Sequence, residues 1–220
     1  MSARLKEKGK TKNKVSDIIR ILKKAYPDAR CSLNYGSREE LLVAIILSAQ
    51  CTDAMVNRVT PSLFSSFHVP EGLARAPLKE IERIIRPCGY YRQKARYIKG
   101  TCASIVESFG GKVPSNMEEL LTLPGVARKT ANVLLSVGFN INEGIAVDTH
   151  VARISKRLGL TRQQQQDKIE RKLMQLIPKR YWGDYTNWLI AHGRAVCSAK
   201  HPKCNICPLA KLCPSAFSVA

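Results

Sequence analysis

The chain has 220 residues, and its 36 Lys and Arg outweigh 17 Asp and Glu, for a formal net charge of +19. Hydrophobic residues make up 45% of the sequence, which excludes disorder over most of it. The best apolar run, Leu41–Leu47, is too short for a membrane span, and no apolar segment after the N-terminal lysines indicates a signal peptide. We therefore expect a soluble, cytoplasmic protein without a membrane partner, and the charge predicts nucleic acid as its partner.

Helical patterns follow one another along the chain. Residues 1–14 are strongly basic and are predicted to form a disordered arm, whereas Val15–Ala25 has the apolar spacing of a helix. Two capping boxes, Ser37 with Glu40 and Ser115 with Glu118, predict the start of a buried helix over Glu39–Gln50 and of a short helix that reaches Leu123. Further helices are predicted at Val56–Leu63, Ile81–Ile85, Val151–Leu158 and Ile169–Leu176, and another contains Ala95–Ile105 and ends at Gly110-Gly111. No segment alternates with period two, so the predicted fold class is all-α, and a change in composition places a domain boundary near residues 140–148.

A Pro-Gly turn between two short helices is the most informative segment. It spans Leu123–Ala131 and predicts a helical hairpin whose backbone N–H groups can bind a phosphate, although an ordinary corner between helices has the same outline. Lys129 lies in the first turn of the second helix, where the helix dipole and adjacent Arg128 disfavour the protonated amine. A neutral amine can form a Schiff base at a sugar carbon, whereas a charged one would contact phosphate.

A second candidate group lies at Ile145–His150. Asp148 stands at the N-cap position of the following helix, where an ionised carboxylate could also stabilise a developing cation. His150 is interpreted as a structural hydrogen-bonding residue.

The eight cysteines form two sets. Cys31, Cys51, Cys88 and Cys102 are scattered and are interpreted mostly as buried structural thiols. Cys197, Cys204, Cys207 and Cys213 have the spacing C-x6-C-x2-C-x5-C, which predicts a metal site and leaves zinc and a 4Fe–4S cluster open. Between the first two of these cysteines lie Lys200 and Lys203, which such a site could present to phosphate.

Taken together, these motifs resemble the endonuclease III family of DNA glycosylases and lyases. The resemblance extends from about Val15 to Cys213 and is carried by Leu47–Gln50, Leu123–Asn132, Val147–His150, His192-Gly193-Arg194 and the four clustered cysteines. It implies a two-domain helix-hairpin-helix fold. A six-helix barrel would span residues 31–142 and contain the hairpin at 116–138, and residues 15–30 with 143–220 would form a second helical domain that carries a 4Fe–4S cluster on those cysteines.

The resemblance also implies an activity and residue roles. The expected protein is a monomeric, nucleoid-associated, bacterial-type bifunctional DNA glycosylase/AP lyase of base excision repair, acting on double-stranded DNA with damaged pyrimidines or abasic sites. Lys129 matches the family's nucleophile, which would attack C1′ of a flipped nucleotide before β-elimination cuts the strand, and Asp148 matches its essential carboxylate. Gln50 matches a residue that fills the space left by the flipped base. The other implied contacts with DNA are at Tyr90, Leu123, Gly125, Ala127, Arg128, Lys200 and Lys203.

Two positions depart from the family's pattern, and three other interpretations stay open. Ala127 stands where a second glycine is usual, and Tyr90 stands where a leucine wedge is common. One alternative is a monofunctional adenine glycosylase of the same superfamily, which usually has another residue in place of Lys129. The others are a non-catalytic DNA-binding module and an electron carrier, the latter weakened by the length and basicity of the chain.

Overall fold

The computed structural model describes the backbone of residues 2–218 and the side chains of residues 11–218. Within that part of the chain there are eleven α-helices, four short 3₁₀ helices and no strand, which confirms the predicted all-α class. The α-helices are α1 Ser2–Ala25, α2 Arg38–Ser48, α3 Asp53–Ser66, α4 Glu71–Arg75, α5 Leu78–Ile85, α6 Tyr91–Phe109, α7 Met117–Thr122, α8 Arg128–Phe139, α9 Thr149–Arg157, α10 Gln166–Leu176 and α11 Trp182–Ala195. No helix in this part of the chain is both long enough and apolar enough to cross a membrane.

The chain divides into two compact units. One consists of Cys31–Glu143 and is called the hairpin unit below; the other joins Met1–Arg30 to Gly144–Ala220 and is called the cysteine unit. The sequence analysis placed the corresponding boundaries after residues 30 and 142. Each unit has its own hydrophobic core, as expected for separate domains.

The hairpin unit is built around α2. All seven residues of Leu41–Leu47 are buried, so this helix has no solvent-exposed face over two turns. Its N-cap is Ser37, whose hydroxyl accepts the N–H of Glu40 at 3.1 Å, as the capping box predicts. Helices α3, α6 and α8 pack against α2 and complete the core.

The cysteine unit is built around α11, which packs on α1 and α9. The sequence analysis did not identify this helix. Its buried residues recur at helical spacing, at Trp182, Tyr185, Leu189 and His192, but aromatic and histidine side chains make up much of that face. The periodicity was therefore weaker than in helices with Leu or Ile stripes.

Two further details differ from expectation. The N-cap of α7 is Asn116, whose side-chain oxygen accepts the N–H of Glu119 at 2.9 Å, and Ser115 precedes the cap. Both residues are good N-caps, and only the backbone geometry distinguishes them. The second difference is that α1 begins at Ser2 and so includes most of the predicted disordered arm. Lys, Arg and Glu have high helix propensity, and the helix extends from the segment that packs into the core from Val15 onwards. Met1 and the side chains up to Lys10 lie outside the described residues.

Candidate active site and cysteine loop

The turn of the predicted hairpin depends on a glycine. Gly125 has φ +75°, and a Cβ built on it would lie 2.6 Å from Cγ of Tyr97 on α6. The turn closes through the N–H of Val126, which donates to the oxygen of Leu123 at 3.1 Å, and the hydroxyl of Thr101 donates to the carbonyl oxygen of Pro124. The conformation and the close approach to α6 therefore both exclude a side chain at position 125.

Helix α8 begins without a side-chain cap. Ala127 is its N-cap residue and provides no side-chain acceptor, and the first helical bond joins the N–H of Ala131 to the oxygen of Ala127 at 3.0 Å. The N–H groups of the first turn have no acceptor within the helix, and they lie at the positive end of the helix dipole. Ala127 has φ −94°, so the departure from the family's glycine causes no backbone strain. This helix start is suited to an anion such as a DNA phosphate.

Lys129 is the second residue of α8 and its side chain is exposed. Arg128 beside it is also exposed. Leu123, in contrast, is only 2% exposed and packs into the core of the hairpin unit, and its contact with DNA stays a prediction. The apolar side chain anchors the hairpin and leaves only its backbone available. The structure thus places a lysine amine in solvent, one residue after the start of an uncapped helix.

Gln50 and Tyr90, the two residues expected at the lesion gap, share an unusual conformation. Gln50 has φ +51° in the turn between α2 and α3, and Tyr90 has φ +45° just before α6. Both side chains are exposed, Tyr90 by 72%. Left-handed backbone at a residue other than glycine costs about 1–3 kcal/mol and clusters at functional sites. Neither residue type favours such φ angles, so no local signal in the sequence predicts them.

Asp148 caps helix α9, as the sequence predicts. Its Oδ1 accepts the N–H of Val151 at 2.7 Å, and its side chain is half-buried. At the other end of this helix the Nζ of Lys14 donates to the carbonyl oxygen of Leu158 at 2.7 Å. Both ends of α9 therefore have charge-assisted hydrogen bonds, and the one from Val151 holds the carboxylate in a defined orientation.

The predicted structural role of His150 agrees with its surroundings. Its Nδ1 lies 3.1 Å from Nη2 of Arg153. Burial lowers the pKa of His150. The nearby Asp148 carboxylate raises this pKa by a smaller amount, and the Arg153 guanidinium lowers it. A Cβ built on Gly193 of α11 would lie 2.3 Å from the same Nδ1. The glycine of the His192-Gly193-Arg194 motif therefore lets α9 and α11 approach closely.

Two arginines on α9 hold the start of the cysteine loop, here defined as residues 197–213. Nη2 of Arg153 donates to the oxygen of Cys197 at 2.9 Å, and Arg157 donates to the oxygens of Ser198 at 2.6 Å and Ala199 at 2.7 Å. Sequence analysis missed both arginines. Their i, i+4 spacing places them on one face of the helix, but only the tertiary structure shows which carbonyl groups they bind.

The four clustered cysteines line a single pocket, together with apolar side chains that include Ile154 and Leu209. Nη1 of Arg157 donates to Sγ of Cys197 at 3.2 Å. Burial raises the pKa of the Cys207 and Cys213 thiols, and neighbouring cysteines of the loop raise it further. Their negative charges would repel one another, which is the situation that bound iron or zinc relieves.

The donor set is compatible with a 4Fe–4S cluster. Among the side chains that the structure describes, no three His, Cys, Asp or Glu are arranged to hold a metal ion. A 4Fe–4S cluster has a different requirement, because each of its four thiolates binds a different iron and the sulfurs need not converge on one ion. Four cysteines around one largely apolar pocket, with an arginine donating to one of the sulfurs, fit that requirement.

His192 connects this pocket to α1. Its Nδ1 lies 2.8 Å from the hydroxyl oxygen of Tyr26, and its Nε2 lies 3.7 Å from Sγ of Cys207. Burial lowers the pKa of His192 to about 4, so the ring is neutral at pH 7. The neutral ring has one donor and one acceptor nitrogen, so it can link the Tyr26 hydroxyl and the Cys207 sulfur in one hydrogen-bonded series. Sequence analysis did not identify Tyr26, which is distant in sequence.

The remaining predicted residues are placed as follows. Lys200 and Lys203 are exposed within the cysteine loop. None of the four scattered cysteines forms a disulfide within the described part of the chain; Cys88 and Cys102 are buried, as interpreted, whereas Cys31 and Cys51 are only half-buried.

Comparison with known proteins identifies the family. Residues 43–179 match the family model described as HhH-GPD superfamily base excision DNA repair protein. A protein named endonuclease III from Synechocystis is 53% identical over 216 residues, which cover 98% of this chain and 99% of that protein. This chain belongs to the endonuclease III family within that superfamily.

Two solved structures of endonuclease III with DNA support the same conclusion. One is a non-covalent complex and the other a trapped covalent intermediate; each has a TM-score of 0.89 and 44% identity and covers 94% of this chain and 97% of the other. The predicted helix-hairpin-helix fold and the predicted class of enzyme, a DNA glycosylase/AP lyase of base excision repair, are confirmed. The similarity favours this interpretation over the adenine glycosylase, the non-catalytic module and the electron carrier.

Proposed function

We propose that this endonuclease III-type enzyme removes oxidised pyrimidines from double-stranded DNA with Lys129 as its nucleophile, and that it then cuts the strand by β-elimination. The observation that supports this most is the exposed Lys129 amine in the first turn of an uncapped helix, directly after a turn that only glycine fits. Such a helix start can bind a backbone phosphate and so bring the neighbouring sugar to the amine. A related endonuclease III was solved as a trapped covalent intermediate with DNA, which is the kind of species this reaction forms.

The proposed chemistry begins at C1′ of the flipped nucleotide. The neutral amine of Lys129 forms a bond to C1′ while the bond from C1′ to the base breaks, and the base leaves with a proton. Opening of the sugar ring gives a protonated Schiff base, which acidifies the C2′ proton. Loss of that proton expels the 3′ phosphate, and hydrolysis of the unsaturated imine restores the free lysine.

Asp148 has two proposed roles in this sequence. Its carboxylate accepts the proton that Lys129 loses as the amine attacks, and it stabilises positive charge on the sugar in the transition state. Its hydrogen bond to Val151 holds the carboxylate at one orientation, so little reorganisation is needed during the reaction. Asp148 therefore caps α9 and also supplies the negative charge that stabilises the transition state.

The proposed contacts with DNA follow from exposure and charge. Gly125 and Ala127 contribute backbone N–H groups, and Arg128 contributes a cation beside them. Gln50 and Tyr90 fill the space that the flipped base leaves, Tyr90 by stacking.

Lys200 and Lys203 lie in the cysteine loop and are proposed to bind phosphates of the DNA backbone. With a net charge of +19, binding should weaken steeply with salt. We further propose that the enzyme acts as a monomer on DNA of the bacterial nucleoid.

We also propose that Cys197, Cys204, Cys207 and Cys213 hold a 4Fe–4S cluster. When bound, the cluster supplies positive charge to four thiolates and joins distant parts of the loop. The cluster would thus stabilise the loop that Arg157 anchors and that carries Lys200 and Lys203. Purified protein should show a broad absorbance at about 400 nm, with iron and sulfide in equal amounts. A colourless protein that contains zinc would contradict the cluster.

A panel of duplexes, each with one defined damaged base, tests the function. Excision of the base and nicking of the strand are scored separately for the wild type, for Lys129→Ala and for Lys79→Ala, an exposed lysine on α5 that serves as control. We expect excision of oxidised pyrimidines by the wild type and the control, and loss of excision and nicking in Lys129→Ala, with DNA affinity broadly retained. Nicking by Lys129→Ala at the wild-type rate would refute the catalytic assignment.

A further inference from the structure

A lysine of the hairpin unit is buried close to Tyr90 and has no role in the proposed reaction. Lys94 is the fourth residue of α6 and is 4% exposed, whereas Arg92 and Arg96 on the same helix are exposed. Lysine is almost never fully buried unless its ammonium is paired, and no ion pair among the described residues includes Lys94. Burial also lowers the pKa of the Lys94 amine. A hydrophobic side chain would avoid this loss of hydration, so the position of the amine needs an explanation.

The Lys94 amine is bonded to the end of a short helix that precedes α6. Its Nζ donates to the carbonyl oxygen of Cys88 at 2.6 Å, and Cys88 is the last residue of the 3₁₀ helix Arg86–Cys88. The last carbonyl groups of a helix have no donor within that helix. Cys88 is 1% exposed, so the protein rather than bulk water supplies the donor for its carbonyl oxygen. Lys94 therefore ties the first turn of α6 back to the end of the preceding helix.

Only Gly89 and Tyr90 lie between these two helices, and both have positive φ. Gly89 has φ +59° and Tyr90 has φ +45°. A Cβ built on Gly89 would have no neighbouring atom within 4 Å outside the adjacent residues, so packing does not support the turn there. At Tyr90, the backbone N–H of Lys94 donates to the carbonyl oxygen at 3.1 Å. Lys94 thus holds carbonyl groups on both sides of Gly89, one with its side chain and the other with its backbone.

Two other uses of a lysine in a DNA-binding enzyme do not fit this geometry. A contact with a phosphate and a covalent bond to a sugar both require an amine that DNA can reach. Lys94 is buried and its amine donates to a backbone carbonyl, whereas Lys129 is exposed. Any effect of Lys94 on DNA is therefore transmitted through the residues that it holds.

We propose that Lys94 is a positioning residue for the lesion gap, in which the bond from its amine to Cys88 fixes the turn that presents the Tyr90 side chain to DNA. This inference rests on the proposed function, in which Tyr90 fills the space that the flipped base leaves. The Tyr90 ring is 72% exposed, so its direction is set mainly by its backbone and little by packing. A backbone that is fixed before DNA binds places the ring with less loss of conformational freedom in the complex.

A double-mutant cycle separates positioning from a purely structural role. Lys94→Met keeps the apolar stem and removes the amine, and it is made both with Tyr90 present and in a Tyr90→Ala background. Binding to a duplex with a reduced abasic site and single-turnover cutting at an abasic site are measured. With Tyr90 present, Lys94→Met should weaken both about tenfold, because small misplacements of a positioned group have large effects. In the Tyr90→Ala background the loss should be less than about twofold, since there is no ring to position.

Lys99→Met is the matched control. Lys99 is also on α6, and its Nζ donates to the carbonyl oxygen of Ala76 at 2.6 Å, which is not part of the Tyr90 turn. Its substitution should lower the thermal stability without weakening DNA binding or cutting. Hydrogen exchange of the free protein adds a measurement that needs no DNA: Lys94→Met should speed the exchange of amide groups in residues 88–94, and Lys99→Met should not.

Lys94→Gln has a neutral donor with a shorter reach, so it should give a smaller loss than Lys94→Met and keeps the cycle available if Lys94→Met does not fold. An equal fold-loss in both Tyr90 backgrounds, or the same loss of binding in Lys99→Met, would show a purely structural role and overturn the proposal. Wild-type binding and cutting by Tyr90→Ala, or by both Lys94 variants, would overturn it as well. Failure of the wild type to cut any abasic DNA would instead refute the proposed function.

Discussion

Helices α8 and α9 begin in opposite ways, although each carries one of the two proposed catalytic residues. At α8 the N-cap residue Ala127 offers no acceptor, and Lys129 follows in the first turn. At α9 the N-cap residue is Asp148, whose carboxylate accepts the N–H of Val151 at 2.7 Å. The first helix leaves its positive end for an external anion, whereas the second uses that end to hold its own carboxylate.

At α9 the acceptor for the first turn is a side chain of the protein, whereas the N-cap residue of α8 supplies none. An N-cap acceptor normally contributes about 1 kcal/mol of stability, which α8 lacks in the free protein. The turn before α8 is nevertheless supported by the packing of Gly125 against Tyr97 and by the hydrogen bond from Thr101 to the carbonyl oxygen of Pro124. Helices α4, α5, α6, α10 and α11 also begin without a side-chain cap, so the proposal of a phosphate at α8 rests on this supported turn and on the adjacent Lys129 as well as on the missing cap.

The largest effect is expected from Asp148→Asn. Asn caps helices about as well as Asp, so the stability of α9 should be kept, while loss of the charge should slow strand cutting by more than about a hundredfold. Asp148→Ala should lose the same activity and also about 1 kcal/mol of stability. Single-turnover cutting and thermal unfolding measure the two effects, with Ser37→Ala as a control that removes the cap of α2 and leaves cutting intact. Cutting at the wild-type rate by Asp148→Asn would mean that Asp148 is only a cap.

A smaller effect is expected from Gly125→Ala, which disturbs the support of the α8 start. The added Cβ meets the ring of Tyr97 and requires an alanine at φ +75°, so the loss should be about 1–3 kcal/mol, with weaker binding to abasic DNA. Gly110→Ala is the matched control, since Gly110 has φ +59° but nothing within 4 Å of the new atom. Urea unfolding and binding titrations should show a larger loss at position 125. Equal losses at both positions would contradict the role of the contact with Tyr97.

The smallest of these effects is expected from Ala127→Asp, which gives α8 the kind of cap that α9 has. Ala127 has the extended backbone of an N-cap residue, so the carboxylate should stabilise the protein by about 1 kcal/mol. It should also occupy the phosphate site and weaken DNA binding about tenfold through repulsion. Ala127→Asn can cap the helix like Asp but carries no charge, so comparing the two variants separates the effect of capping from the effect of charge. Unchanged or tighter DNA binding by Ala127→Asp would show that the start of α8 does not bind phosphate.

Local patterns predicted the elements whose boundaries depend on local chemistry. The cap of α2 at Ser37, the cap of α9 at Asp148 and the end of α6 at Gly110 are all where the sequence places them. Each depends on a side chain that bonds within its own turn, or on a glycine with φ above zero. At α7 the sequence predicts Ser115 as the N-cap, but the structure has Asn116. Local patterns cannot choose between two adjacent residues that both make good caps.

Features that depend on contacts between distant residues could not be predicted. The bonds of Arg157 to Ser198 and Ala199 join residues about forty positions apart, and Tyr26 reaches His192 across most of the chain. Helix α11 was not predicted because its buried face is largely aromatic, which makes the apolar periodicity weaker than that of a Leu or Ile stripe. The left-handed conformation of Gln50 has no signature in the local sequence.

Borohydride reduction of the enzyme on abasic DNA tests the central claim, which is that Lys129 forms the covalent bond to the sugar. After reduction and trypsin digestion, a modified Lys129 is no longer a cleavage site, so the adduct should be found on peptide 129–153 instead of leaving peptide 130–153 free. We expect that adduct in the wild type and in Lys79→Ala, and we expect none in Lys129→Ala. An adduct on any other amine, or its persistence in Lys129→Ala, would show that Lys129 is not the nucleophile.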